Sequence, residues 1–282
     1  MSNSSTYIKD ISREFAIYTA QNRAIPSLAD GIKDGQRKFL WMIRNTADKI
    51  KTVALASSAI GYGIYVHGDA SAADTVSLMA APYVNNIPLL DGIGNFGSRL
   101  EPTGVGAPRY TSVKRGTAAK ELMFTDLDII PLKENYDGSV MEPVHYLPLI
   151  PMVLLNGVSG IAVGWSTDIL PRNINDIIDS TIKVVSGKKI ETIKPSYDYL
   201  QCDVNHLEGN TWIFSGKVDK VNTSTLKISE LPPGVSLEKY KEKLNKMIDD
   251  GVISDYDDNS SEFIDIEIKV QRKTIDGKNN DQ

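Results

Sequence analysis

A chain of 282 residues, 41% hydrophobic and 24% charged, holds enough apolar side chains for one or two packed domains and is not disordered, collagenous or disulfide-stapled. Its net charge of −5 and pI near 5.3 exclude a uniformly basic nucleic-acid coat. Residues 1–125 nevertheless carry 14 Lys and Arg against 10 Asp and Glu, a net of +4, while residues 126–282 carry 17 against 26, a net of −9. A basic front half points to an anionic partner. Cys202 is the single cysteine, so no internal disulfide can form and a reducing, cytoplasmic setting is expected. The polar N-terminus has no signal core. The uncharged run 146–167 is broken by prolines and glycines, which suits a buried turn-and-strand segment and not a membrane span.

In chain order, Tyr7, Ile8, Ile11, Phe15 and Tyr18 recur at helical spacing and predict an amphipathic helix over 6–21. After the Pro26 and Asp30-Gly31 breaks, a second helix is expected over 36–50, with Phe39, Leu40, Ile43 and Ala47 inward. A small, apolar third helix follows over 52–61, and a helix of small residues over 68–82 with Asp69 as its N-cap. Such a run of short helices suits a helix-turn-helix arrangement. Residues 89–109 read as loops and short strands, 112–124 as a helix. Asn173 caps a helix that Gly187 stops, and Ser236 starts another that Gly251 ends. Strands are expected at 211–214, 226–228 and 263–270. The fold class is α+β, with a helical domain over 1–165, a mixed α/β domain over 166–273 and a frayed tail over 274–282.

Several familiar chemistries find no footing. Gly92 to Gly97 spells G-x-G-x-x-G, but Pro102 and Gly104 follow where a helix must start, so the motif reads as a tight turn. The acidic runs 126–128 and 255–258 read as solvated loops, and His67, His145 and His206 have no metal spacing, so no metal site is assigned. What remains is a basic set, Arg23, Lys33, Arg37, Lys38, His67, Arg109, Lys114 and Arg115, on helix-loop junctions where phosphates bind. The pair Arg109-Tyr110 sets a phenol nucleophile beside a cation suited to stabilise a pentavalent phosphorane.

Six motifs in order then resemble the breakage-reunion subunits of type IIA DNA topoisomerases: Arg23-Ala24-Ile25-Pro26, residues 30–38 (DGIKDGQRK), residues 67–71 (HGDAS), residues 90–99 (LDGIGNFGSR), Pro108-Arg109-Tyr110 and residues 156–164 (NGVSGIAVG). The Gln-Arg-Lys, Gly-Ser-Arg and Pro-Arg-Tyr details are more similar to the phage and eukaryotic branch, the T-even phage medium subunit included, than to gyrase. The resemblance implies a winged-helix DNA-gate domain followed by a tower domain. It implies Tyr110 as the nucleophile of a 5′-phosphotyrosyl link, Arg109 as transition-state stabiliser, and Arg23 and His67 in the same pocket. Lys33, Arg37 and Lys38 would grip the DNA backbone, and Ile161 would wedge between base pairs to bend it. The small residues after Asp69 would allow close approach to DNA. Mg²⁺ and ATP would be held by a Toprim- and ATPase-bearing partner subunit, and the chain would act on double-stranded DNA as a homodimer, in the host bacterial cytoplasm if phage-encoded. The family's exit-gate coiled coil is expected to be absent, because no heptads follow; a truncated chain and one piece of a split gene product both fit. A non-catalytic DNA-bending scaffold is the alternative, against which the joint presence of Arg109, Tyr110, Arg23 and His67 argues.

Overall fold

In the computed structural model, which describes residues 4–270, the chain divides into two compact units. The first runs to Phe96 and from Val105 to Ile193; the second comprises Gly97–Gly104 and the chain from Lys194 on. This division falls later than the 165/166 boundary expected from the charge turn. The reason is packing: the helix Ile174–Val185 belongs to the first unit, with Ile177 fully buried in its core and Ile174 and Ile178 against it. The tail 274–282 lies outside the described residues.

The first unit opens with α1 (Ser4–Thr19), continued by a π-helical turn (Ala20–Ala24). The apolar stripe of α1 forms the predicted helix but faces solvent, since no residue of it is buried. Then come α2 (Asp34–Ile43), the short strand β1 (Ile50–Lys51), α3 (Thr52–Gly61) and α4 (Asp69–Ala80). Helix α2 ends seven residues before the expected 50: the Thr46 amide turns to the Ile43 carbonyl at 3.2 Å, and the Asp48 amide then bonds the Thr46 hydroxyl. Phe39, Leu40 and Ile43 of α2, Leu55, Ala56 and Ala59 of α3, and Ala72, Ala73, Val76 and Met79 of α4 form the centre of the core. The small side chains of α4 are therefore mostly spent on helix packing, leaving Asp69, Ala70 and Asp74 exposed. Gly68 is the N-cap of α4, and Asp69 is its first residue.

Strands β2 (Leu90–Ile93) and β3 (Ser112–Arg115) complete a three-stranded antiparallel sheet in the order β1-β3-β2, with Lys51 opposite Ser112 and Leu90 opposite Arg115. The helix expected over 112–124 is thus replaced by a central strand and, after Gly116, a π-helical turn (Ala119–Met123). Gly116 itself leaves no room for a side chain, since a Cβ there would stand 2.6 Å from the Leu89 carbonyl oxygen. The G-x-G-x-x-G segment is a tight turn: Gly94 has φ 112°, and a Cβ on Gly92 would lie 2.6 Å from the Phe96 ring. The hairpin β4 (Leu132–Glu134) and β5 (Met141–Pro143) follows, then α5 (Met152–Leu155), the hairpin β6 (Val158–Ala162) and β7 (Trp165–Ile169), and α6 (Ile174–Val185), whose Asn173 side chain caps the Asn175 amide at 2.9 Å. The run 146–167 is therefore a turn, a short helix and a hairpin. No helix among the described residues is long and apolar enough to cross a membrane.

The second unit holds a separate hairpin, β8 (Asp203–Glu208) and β9 (Thr211–Ser215), and a four-stranded antiparallel sheet. That sheet comprises β10 (Lys217–Asn222), β11 (Thr225–Glu230), β12 (Asp255–Asp258) and β13 (Ile266–Lys269), in the order β10-β11-β13-β12. Helix α7 (Leu237–Asp249), capped by Ser236, buries Leu237 and Leu244 with Ile228, Ile266 and Ile268. The acidic run 255–258 is the edge strand β12 and not a loop.

Candidate functional site

Tyr110 sits on a turn that the neighbouring helix holds in place. The first two amides of α3 have no partner inside the helix. Here they donate outward, Thr52 N to the Thr111 carbonyl at 3.1 Å and Val53 N to the Pro108 carbonyl at 3.2 Å. A buried hydroxyl pair, Thr111 Oγ1 to Thr52 Oγ1 at 2.8 Å, locks the same junction, and Tyr110 N donates to the Ala107 carbonyl at 2.8 Å. The Tyr110 side chain, on this fixed backbone, is 70% exposed. The Arg109 guanidinium lies 4.8 Å from the centre of its ring, within cation–π range. Beside them a cavity of about 290 Å³ opens between Val53, Ala56, Asp69, Ala73, Pro108 and Arg109. The ammonium of Lys51, absent from the cation set read in the sequence, reaches to 3.5 Å from the Tyr110 carbonyl oxygen.

A second cluster gathers Arg23, Lys38 and His67. His67 is half-buried, edge-on to Tyr65 at 5.4 Å, and Tyr65 in turn packs on Phe39 of α2 at 4.9 Å. Burial, then the positive charges of Arg23 and Lys38, push the His67 pKa below its ordinary 6.5, against the smaller opposing pull of Asp34. Lys38 is held by Asp34 at 3.0 Å and Glu142 at 3.2 Å; burial alone would lower its pKa, but the two carboxylates outweigh it and raise it. His67 is therefore biased toward its neutral form. Between its lowered pKa and 6.5 the unfolded chain takes up the proton first, so His67's contribution to stability is present above 6.5 and is lost as pH falls through that window. NMR titration of the ring will find a midpoint below 6.5 that rises in Arg23→Gln; an unmoved midpoint would show that Arg23 does not act on His67.

Arg37 departs from the expected backbone grip. It is 5% exposed, and its Nε and Nη2 donate to the fully buried Asp30 at 2.6 and 2.8 Å, with a further bond to the Ile32 carbonyl at 3.1 Å. It is an internal ion pair, unavailable to an outside phosphate. Lys38 has its ammonium committed to two carboxylates. Lys33 donates to the Ser159 carbonyl at 2.8 Å and so holds β6, and burial lowers its pKa. Gly160 lies so close to the π-helical turn that a Cβ would fall 2.0 Å from the Ala24 carbonyl oxygen. Clamped in this way, the β6–β7 hairpin presents Ile161, opposite Ser166, 84% exposed on its outward face.

Arg109 thus lies over the ring of Tyr110, and the charges of Arg23 and Lys38 act on His67. Among the described residues no hydrogen bond, ion pair or ring contact joins Tyr110 to Arg23 or His67. Asp34 at i+3 and i+4 from Arg37 and Lys38 was visible as spacing in the sequence. Asp30, Glu142 and Lys51 carried no such signal, because their partners are set by the tertiary fold.

The family model for the DNA gyrase/topoisomerase IV A-subunit matches residues 23–282. Human DNA topoisomerase 2-alpha is 36% identical over 247 residues, covering 85% of this chain and 16% of that protein. A putative mitochondrial DNA topoisomerase 2 of Caenorhabditis elegans is 34% identical over 267 residues, covering 89% of this chain and 23% of the relative. The chain therefore spans less than a quarter of either relative. The crystal structure of the Plasmodium falciparum topoisomerase II DNA-binding, cleavage and re-ligation domain superposes with a TM-score of 0.87 at 31% identity, covering 93% of this chain and 37% of that one. A mixed α/β chain with this match along nearly its whole length belongs to the family of type IIA topoisomerase breakage-reunion domains.

Proposed function

We propose that this chain is the DNA-gate subunit of an ATP-dependent type II DNA topoisomerase. The observation that carries the reading is Tyr110: an exposed phenol on a backbone pinned by α3, with the Arg109 guanidinium over its ring. Oη of Tyr110 attacks a backbone phosphorus of double-stranded DNA; the Oη–P bond forms, the P–O3′ bond breaks, and the 3′ oxygen leaves with a proton. The phosphodiester energy is retained in the tyrosyl ester, so resealing by the 3′-hydroxyl needs no ATP. Arg109 stabilises the charge on the phosphorane, since a preoriented donor is most valuable where charge develops. Helices α2 to α4 with the β1-β3-β2 sheet support the winged-helix reading, and the sheet with α7 supports the tower. Ile161 on its clamped hairpin supports the role of a bending wedge. In this reading the chain acts as a homodimer that makes paired, staggered cuts.

Mg²⁺ and ATP belong to the proposal through a partner. Among the described residues no group of three His, Cys, Asp or Glu side chains converges to hold a metal ion. A Toprim- and ATPase-bearing subunit would hold both. The test is direct: mix the chain with such a subunit, Mg²⁺ and supercoiled DNA, then quench with detergent. Protein covalently attached to 5′ ends is the expected result, and an absence of adduct at every protein concentration overturns the reading in favour of a bending scaffold.

A further inference from the structure

Lys51 lies on β1 opposite Ser112, and it is the N-cap residue of α3. The next residue, Thr52, is bonded through both its amide and its hydroxyl to Thr111. The Lys51 backbone is therefore fixed relative to Tyr110, while its side chain is exposed. The ammonium contacts the Tyr110 carbonyl at 3.5 Å, the outer limit of a hydrogen bond, and gives that contact up at little cost. Among the described residues no carboxylate is within ion-pair distance of it, whereas Lys38 is held by Asp34 and Glu142, and Lys114 by Asp91 at 3.7 Å. A solvated ammonium on a rigid base beside the nucleophile is suited to a phosphate as a point charge. Any phosphodiester delivered to Tyr110 brings its neighbours on the same strand with it.

We infer that Lys51 binds the backbone phosphate next to the scissile one and holds the cleaved strand in register for attack. This rests on the reading of Tyr110 as the nucleophile. Arg109 serves the reacting phosphorus and Lys51 its neighbour, so the two cations flanking Tyr110 differ in their roles. Lys51 is a positioning residue.

The test uses the full chain as wild type, Lys51→Gln and Lys51→Arg, with thermal unfolding as a folding control. In Lys51→Gln the slope of log affinity for duplex DNA against log salt falls by about one, and Lys51→Arg restores it. With Mg²⁺ and the partner subunit present, duplexes carrying one neutral methylphosphonate on either side of the cleavage site are then compared. At one of these positions the neutral link lowers adduct yield in wild type by about tenfold, a loss typical of one charged contact, and has no further effect in Lys51→Gln. An unchanged salt slope, or losses from variant and methylphosphonate that simply multiply at both positions, overturns the role of Lys51 while leaving the function intact. A wild type that forms no adduct overturns the function instead.

Discussion

Tyr110→Phe will bind duplex DNA within a few-fold of wild type and form no covalent adduct with it. The substitution removes one oxygen from a side chain that is 70% exposed, and surface changes of this kind stay within about 0.5 kcal/mol in stability. The turn survives, because its hydrogen bonds run from the Thr52, Val53 and Tyr110 amides and the Thr111 hydroxyl, none of which uses the phenol. The ring that Arg109 covers is also retained. Only the attacking atom is lost, so the effect on adduct formation is total. Arg109→Gln provides the graded companion: it keeps the nucleophile but removes the charge meeting the phosphorane, and the adduct rate falls by about 10²–10³-fold. Quenched time courses with both variants decide the matter. An adduct in Tyr110→Phe places the nucleophile elsewhere, and a wild-type rate in Arg109→Gln removes that residue from the reaction.

What the sequence made legible follows a physical line. Helices α3, α4, α6 and α7 were readable because their signals are local: small residues in a row, or an Asn or Ser cap such as Ser236, which accepts from Lys239 N at 3.4 Å. Residues 112–115 were not, because a four-residue apolar-basic run fits helix and strand equally, and only the flanking strands β1 and β2 decide. Strand β12 was hidden by composition. Asp255, Asp257 and Asp258 read as a solvated acidic loop, yet Tyr256 alone packs on the core, and Asp257 and Asp258 pair with Lys269 at 2.7 Å and Lys241 at 2.9 Å. Charged side chains on an edge strand also discourage strand addition. At the site, Tyr110, Arg109 and Ile161 stand exposed. Arg37 does not, since whether a cation is free depends on groups remote in sequence; Asp30 also accepts the amide of Tyr146, 116 residues away.

Asp30→Ala will destabilise the first unit by about 3–5 kcal/mol, the range for breaking a buried ion pair by removing one partner. Asp30 is fully buried, and its oxygens accept from Arg37 Nε and Nη2, from Tyr146 N at 3.1 Å and from Ile32 N at 3.4 Å. Truncation leaves Arg37 charged and 5% exposed, with a single 3.4 Å contact to Asp34 as its remaining ion pair. A guanidinium does not escape by losing its proton. Against a typical unfolding free energy of about 5–15 kcal/mol, this loss is a large share of the total. It will appear as a lower denaturant midpoint with an unchanged slope. The double variant Asp30→Ala/Arg37→Met will recover much of it, because the cost lies in the stranded charge and not in the missing attraction. The same loss reaches function through α2, which carries Lys38 beside His67 and whose Arg37 carbonyl accepts the buried Tyr146 hydroxyl at 3.0 Å. Adduct formation in Asp30→Ala should therefore fail at a temperature where wild type is active and return on cooling. A single variant as stable as wild type would mean that Arg37 finds water or another partner at no cost once Asp30 is gone, and the double variant would then show no recovery.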